Sequence, residues 1–167
     1  MQHLLIPKER IRLLTSKTLA ELERELECSI KISDDNSITL YGNEYNEFTA
    51  KNVMMAFGRG FDIKSACRLL RDNIFLKVVN LKELFSNSDR IKVVKGRVIG
   101  KGGKSKAYIE SVSGTEISIY GSTISIIGTP DGINIAAKGI ELLLEGAPHS
   151  KAYSVMEQMR KKLKMEG

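Results

Sequence analysis

The stretch Arg97-Val98-Ile99-Gly100-Lys101-Gly102-Gly103-Lys104 decides the fold that this sequence predicts. Its three glycines form a loop between two segments that read as helices, and Ile109 marks the inner face of the second. A glycine loop turns tightly and lets another chain approach its backbone, because it has no Cβ atoms. The N–H groups that open the second helix favour negative charge, and Lys101 and Lys104 add positive charge. The loop therefore predicts contact with the phosphates of a nucleic acid strand.

The residues around the loop predict a complete folding unit. Gly114 suits the left-handed turn that ends a helix. Thr129 and Pro130 suit the N-cap and the first residue of a closing helix. The predicted elements are a strand near 75–81, a helix before the loop, a helix over 104–112, strands over 116–120 and 123–128, and a helix from 129 onward.

The first half of the chain repeats the same order of elements. A strand is followed by two helices, a two-stranded hairpin and a closing helix. The predicted elements are a strand at 4–6, helices over 8–14 and 19–27, strands over 29–33 and 37–41, and a helix over 43–57.

The loop and the helix after it match the signature of KH domains, which is Ile-Gly-x-x-Gly ahead of an apolar helix. The predicted fold class is therefore α+β, with two tandem type I KH domains of order β-α-α-β-β-α. Each is expected to contain a three-stranded antiparallel sheet packed by three helices. The predicted domains are a degenerate KH domain over 1–60, a connecting helix over 61–73, an RNA-binding KH domain over 74–146 and a C-terminal basic helix over 147–167.

A groove beside the loop is predicted to hold the bases of single-stranded RNA, whose edges are hidden in paired strands. The helix before the loop and the adjacent strand would line it, and main-chain groups of that strand would read base edges. Aromatic residues make up only 6% of the chain, which disfavours a stacking platform. The residues predicted on these grounds are Val98, Ile99, Gly100, Lys101, Gly102, Gly103, Lys104, Ile117, Ser118 and Ile119.

The sequence gives little support for nucleotide binding, metal binding or catalysis. Gly103-Lys104-Ser105 resembles the end of a phosphate-binding P-loop, but that motif needs a glycine at the position of Val98. The two histidines, His3 and His149, belong to no cluster with metal-ligand spacing. No catalytic residue, cofactor or metal is predicted, and the chain is not expected to be an enzyme.

The first repeat departs from the KH signature, because no glycine precedes Gly42. Counting from the predicted helix start places its loop at 16–19, whereas counting back from the strand places it at 13–16. Side chains would crowd a phosphate in either case, and four glutamates between Glu21 and Glu27 would repel one. The first repeat is therefore predicted to pack or to bind protein.

Charge and composition agree with this interpretation. The net charge is +6, and between Arg90 and Glu110 there are seven basic residues and one acid. Such a local excess is typical of a protein that binds a polyanion.

The cysteines, Cys28 and Cys67, form no Cys-x-x-Cys pair and suggest inert thiols in a reducing compartment. No apolar run approaches the roughly 20 residues that span a bilayer, so the expected location is the cytoplasm.

Three stretches point to a particular family. Lys95 to Lys104, Thr123 to Gly128 and Glu145-Gly146-Ala147-Pro148-His149-Ser150 closely resemble the two-KH assembly factors of the small ribosomal subunit, the partner-of-Nob family of archaea and eukaryotes. The likeness is strong from about Phe75 to Lys164 and weak in the first repeat. The compact length is similar to that of the archaeal members.

The resemblance implies a single-stranded RNA-binding factor near the 3′ end of small-subunit rRNA, with the endonuclease that trims that end as a partner. It implies RNA contact for Arg97 and for the loop from Gly100 to Lys104, and we add the neighbouring Lys95 and Lys106. The alternatives are a protein-interaction adaptor on a KH scaffold and a KH protein unrelated to ribosome assembly. No membrane and no small-molecule substrate is expected.

Overall fold

The computed structural model describes all 167 residues and divides the chain into two units, Met1–Asp72 and Asn73–Gly167. Each unit contains one three-stranded antiparallel sheet, so the fold is mixed α/β with two separate sheets. No helix combines the length and the apolar character that crossing a bilayer requires.

The first unit follows the predicted order. Its elements are β1 Gln2–Leu5, α1 Lys8–Ile11, α2 Ser16–Leu26, β2 Ser29–Ile32, β3 Ser37–Tyr41, α3 Glu44–Gly58 and α4 Ile63–Ala66. The strand order is β1-β3-β2. Helix α2 begins after Thr15, whose hydroxyl oxygen accepts the N–H of Thr18 at 3.2 Å. It ends at Glu27, which has a left-handed φ of 51°.

The second unit repeats this order and adds helices to it. Its elements are β4 Phe75–Asn80, α5 Leu81–Leu84, α6 Ser88–Ile99, α7 Lys104–Ser113, β5 Glu116–Tyr120, β6 Thr123–Gly128, α8 Pro130–Leu144 and α9 His149–Glu166. The strand order is β4-β6-β5. Gly114 ends α7 at a φ of 68°, and the Thr129 hydroxyl oxygen caps α8 by accepting the N–H of Gly132 at 3.1 Å. Both helix ends lie where the sequence predicts them.

Each unit contains an equivalent hydrogen bond, and this pair of bonds aligns the two sequences residue by residue. The Glu110 carboxylate accepts the N–H of Ile117 at 3.0 Å, and the Glu23 carboxylate accepts the N–H of Ile30 at 2.7 Å. Gly114 and Glu27, the residues with left-handed φ that end the two helices, each lie four residues after the glutamate of their own unit. Counting back equally from both places the glycine loop opposite residues 13–16. The alternative position, 16–19, is wrong because those residues already belong to α2.

Helix α9 shares the core of the second unit. It packs on α7 and α8, and its Ala152 and Met156 are fully buried. Gly139 of α8 makes room for Met156, because a Cβ atom there would lie 2.2 Å from the Met156 Sδ. The prediction of three helices per sheet is therefore too low for the second unit.

The segment predicted as one connecting helix over 61–73 has a different form. It consists of α4 and a 3-10 turn over Cys67–Leu70, and the first unit includes it up to Asp72. Asp62 caps α4 by accepting the N–H of Ser65 at 2.7 Å. A helix of this length adds little core, so sequence spacing could not separate it from a longer one.

Both cysteines are free thiols. Burial, followed by the charge of Glu25, raises the pKa of Cys67 to about 11. Burial also raises the pKa of Cys28. Because the thiolate is the reactive form, both side chains are weak nucleophiles at neutral pH, in agreement with the sequence prediction.

Candidate nucleic-acid interface

The glycine loop is an exposed bend between two helices. Helix α6 ends at Ile99, a 3-10 turn spans Lys101–Gly103, and α7 begins at Lys104. Gly100, Gly102 and Gly103 have φ values of 74°, 63° and 77°, a region that glycine adopts without strain. Lys101, Gly102 and Lys104 are exposed. The backbone is therefore open to another chain, as the sequence predicts.

The glycines of the loop have different surroundings. A Cβ atom at Gly100 would lie 2.5 Å from the Cβ and 2.7 Å from the backbone nitrogen of Ser105. Gly100 therefore allows the loop to close against α7. A Cβ atom at Gly102 or Gly103 would meet nothing within 4 Å. Those two positions face open space and leave room for a ligand.

The start of α7 carries no side-chain cap. Its N-cap is Gly103, which offers no acceptor to the first-turn N–H groups. The corresponding helix of the first unit, α2, is capped by Thr15. Uncapped N–H groups at a helix start bind anions, and Lys101 and Lys104 place two cations beside these. The second unit therefore has an uncapped helix start beside two lysines, which the first unit lacks.

Three predicted residues lie on the flank of the loop that faces β5. Helical spacing places Lys95 and Ile99 on one side of α6, and Lys106 lies on the matching side of α7. Ile99 is 36% exposed and can offer apolar surface to a base. Lys106 pairs with Glu110 at 3.4 Å. The Glu110 carboxylate also holds the N–H of Ile117, so that main-chain group is not available to read a base edge.

Two residues predicted to line the groove belong instead to the hydrophobic core. Val98 follows Val94 by one helical turn, and both are fully buried. Ile117 is also buried, and Ile119 packs against the same core from the same face of β5. Ser118 points to the opposite face, because side chains alternate along a strand. The prediction that the side chains of Val98 and Ile117 line an RNA groove is therefore wrong.

The Arg97 side chain has a structural role in the fold. Its guanidinium donates hydrogen bonds to the carbonyl oxygens of Leu143 and Ala147, the latter at 2.5 Å. Leu143 lies in the last turn of α8, and Ala147 lies in the short segment between α8 and α9. The carbonyl of Arg97 lies 2.9 Å from the Nε2 atom of His149. Arg97 thus joins α6, α8 and the start of α9, while its contact with RNA stays a prediction.

The Arg97→Ala substitution is expected to lower the free energy of unfolding by about 3 kcal/mol or more, because it removes two hydrogen bonds to a charged group, each of which contributes about 1.5–3 kcal/mol. Urea denaturation followed by circular dichroism measures the change. Lys92→Ala, which removes an exposed cation from the same helix, is the matched control and should shift stability by less than about 0.5 kcal/mol. Equal stability of the two variants would contradict this role of Arg97.

Comparison with known proteins identifies the family. A model of the second KH domain of PNO1 proteins, described as a eukaryotic type KH-domain (KH-domain type I), matches residues 75–161. A KH domain-containing protein of Methanocaldococcus jannaschii is 37% identical over 95% of this chain and 74% of its own length. The crystal structure of Dim2p from Pyrococcus horikoshii is 33% identical, with a TM-score of 0.85, and the alignment covers 94% of this chain and 98% of that one. This chain belongs to the PNO1/Dim2 family.

Further members of the PNO1/Dim2 family extend the comparison. The pre-rRNA-processing protein pno1 of Schizosaccharomyces pombe is 35% identical over 62% of this chain and 44% of its own length. The chain thus spans about half the length of the eukaryotic PNO1 relatives it matches. Pyrococcus horikoshii aDim2p, solved in a complex with a/eIF2alpha and rRNA, is 32% identical with a TM-score of 0.88, covering 96% of this chain and 94% of that one.

Helix α9 supplies site residues that the sequence analysis missed. Tyr153 packs on Tyr108 of α7 with ring centroids 4.0 Å apart, and His149 meets Tyr153 edge-on at 6.0 Å. Tyr108 also donates a hydrogen bond to Glu157, which, with burial, raises the pKa of Tyr108 to about 12. In this PNO1/Dim2 chain α9 therefore packs against α7, next to the glycine loop. Residues about 50 positions apart carry no spacing signal, so only the family-specific segment around His149 indicated its importance.

Proposed function

We propose that this chain binds single-stranded RNA through the loop from Gly100 to Lys104 and acts in the processing of small-subunit rRNA near its 3′ end. The exposed three-glycine bend at the uncapped start of α7, with two lysines and no acid, carries the proposal. The names of the relatives support it, since they are pre-rRNA-processing and RNA-binding proteins. The rRNA complex of aDim2p gives it a structural precedent.

The proposed interface contains fewer residues than the sequence predicts. The phosphates lie against the loop backbone and the two lysines, since KH loops clamp about four backbone nucleotides. The bases lie toward β5, along the flank that carries Ile99 and the side chain of Ile119. Lys95 borders this flank and adds positive charge, and Lys106 lies beside it in its pair with Glu110. Val98, Ile117 and Arg97 support the site from within the fold.

The first unit is proposed to be a degenerate type I KH domain that binds protein. It has the order β-α-α-β-β-α up to α3, with the strand arrangement of the second unit. Its loop over residues 13–16 carries side chains, and Leu13 is exposed there. Thr15 also occupies the helix start that a phosphate would need. We assign the trimming endonuclease as a partner of the chain and the cytoplasm as its location, on family resemblance alone.

The proposed role is binding without catalysis. The relatives are named for RNA binding and processing, and the interface offers backbone amides and cations. No group of three or more His, Cys, Asp or Glu side chains converges in a metal-binding arrangement. The chain would hold an rRNA strand in place while another protein performs the cleavage.

A salt titration tests the proposed function. Affinity for a labelled single-stranded RNA should fall at least about tenfold between roughly 50 and 200 mM salt, because three to four neutralised phosphates give a slope of about −2 to −3. A duplex of the same sequence is the control and should bind far more weakly. Affinity that is independent of salt, or equal for the duplex, would favour a protein-interaction adaptor instead.

A further inference from the structure

A second concave surface lies behind the glycine loop, on the flank away from β5. Helical spacing places Val93 and Arg97 of α6 opposite Lys95 and Ile99, with the core residues between them. Residues of α6, α7 and α9 and of the loop line an open, shallow cavity of about 450 Å³ at this flank. This volume is in the range of pockets that hold small ligands. The glycine loop thus has a usable surface on both sides.

The charge of this cavity selects an anion. Lys101 and Lys104 line it, and neither forms an ion pair in the structure. No carboxylate lies among the lining residues. Arg97 also lines the cavity, although the hydrogen bonds of its guanidinium go to carbonyl groups. A group with negative charge is therefore the ligand that this environment favours.

A buried hydroxyl group in the cavity wall has no hydrogen-bond partner. Ser105 lines the cavity and is only 2% exposed, yet its Oγ atom is unpaired. Buried hydroxyl groups in native structures are nearly always paired, so an unpaired one needs an explanation. A phosphate oxygen in the cavity would accept the missing hydrogen bond. Ser105 thus points to a ligand independently of the lysines and of the helix start.

Aromatic rings give the cavity a surface for a base. His149 and Tyr153 of α9 line it beside the lysines. Gly96 of α6 lies on the opposite wall, and a Cβ atom there would meet nothing within 4 Å. The surface of α6 at Gly96 is therefore open, next to these two rings. Planar bases bind in such places by stacking on aromatic side chains.

We propose that this cavity is a second nucleotide subsite, in which Lys104 and Ser105 hold a phosphate and the rings of His149 and Tyr153 contact its base. The inference rests on the proposed function, because the nucleotide belongs to the same RNA strand that the loop clamps on its β5 side. The strand passes around the glycine bend and places one nucleotide on each flank. The site size is therefore larger than the clamp alone.

Two RNA lengths and one conservative variant test this proposal. Ser105→Ala removes the unpaired hydroxyl and should leave thermal stability equal or higher, since no bond in the free protein is lost. A strand of about four nucleotides fills the clamp alone and should bind both forms equally. A strand of about eight nucleotides should bind Ser105→Ala about tenfold more weakly, the effect of one hydrogen bond to a charged group. Fluorescence anisotropy measures both affinities.

The remaining outcomes each decide the matter. Equal affinity of Ser105→Ala and the parent chain for both lengths would refute the subsite, and so would an equal loss at both lengths. Tyr153→Leu, which removes the ring and keeps apolar packing, should likewise weaken only the longer strand. Saturable binding of adenosine monophosphate that Ser105→Ala abolishes and the longer RNA does not displace would assign the cavity to a free nucleotide, against the proposal. The proposed function fails separately, if Gly102→Asp keeps its RNA affinity.

Discussion

The Gly102→Asp variant is expected to bind single-stranded RNA at least about 100-fold more weakly than the parent chain. The substitution puts a carboxylate where the phosphates approach, and like charges in an interface cost several kcal/mol. A loss of about 2.7 kcal/mol already amounts to a factor of 100. Lys101→Asp, which reverses a charge at the same bend, should add to the loss. Affinity is measured by fluorescence anisotropy with a labelled strand.

The fold should survive this substitution, because of the conformation of Gly102. Its φ of 63° and ψ of 22° lie in the left-handed region, which aspartate and asparagine tolerate better than most residues. A side chain there meets no neighbouring atom within 4 Å of its Cβ position. Gly102→Asn is the matched control, since it has the same size and conformation without the charge. Equal affinity of the Asn and Asp variants would exclude a phosphate clamp at this position.

The Met156→Ala variant is expected to lower the free energy of unfolding by about 2–5 kcal/mol, as substitutions of large buried side chains by alanine do. Met156 is 0% exposed and fills the space above Gly139, where α8 and α9 meet. Truncation leaves a cavity that Gly139 cannot fill, because it has no side chain. Urea denaturation followed by circular dichroism measures the loss.

Met165 provides the matched control on the same helix. It is 87% exposed, so Met165→Ala makes the same chemical change without opening a cavity. Its effect should stay within about 0.5 kcal/mol. If the two alanine variants were equally stable, α9 would not belong to the core of the second unit. The RNA subsite behind the loop would then lose its outer wall as well.

The sequence predicted the elements of both units well, because their signals are local. Gly114 and Thr129 mark helix ends through their own backbone and side-chain chemistry, and both act where expected. The hairpin of β5 and β6 follows from the alternation of residues 116–128. The short α4 was predicted too long, since a single turn has no amphipathic pattern of its own.

The residues of the candidate site also fall into those with a local sequence signal and those without one. The glycines and lysines of the loop were predicted from adjacent residues, and the loop is exposed between two helices. Val98 and Ile117 were assigned to the groove, although the core takes both. An apolar residue next to a functional loop looks the same in sequence whether it faces a ligand or the interior. The two cases differ only in which side of α6 and β5 faces the core, and this depends on how the elements pack.

The sequence by itself determined that this chain has an open glycine bend at the start of a helix, because φ freedom and helix capping depend on neighbouring residues. Tertiary structure alone decided what surrounds the bend. The partners of Arg97 lie 46 and 50 residues away, and α9 lies beside the loop through contacts such as those of Met156 with Gly139 and of Tyr153 with Tyr108. Contacts between distant segments depend on how whole elements pack, and the spacing of residues along the chain carries no record of that packing.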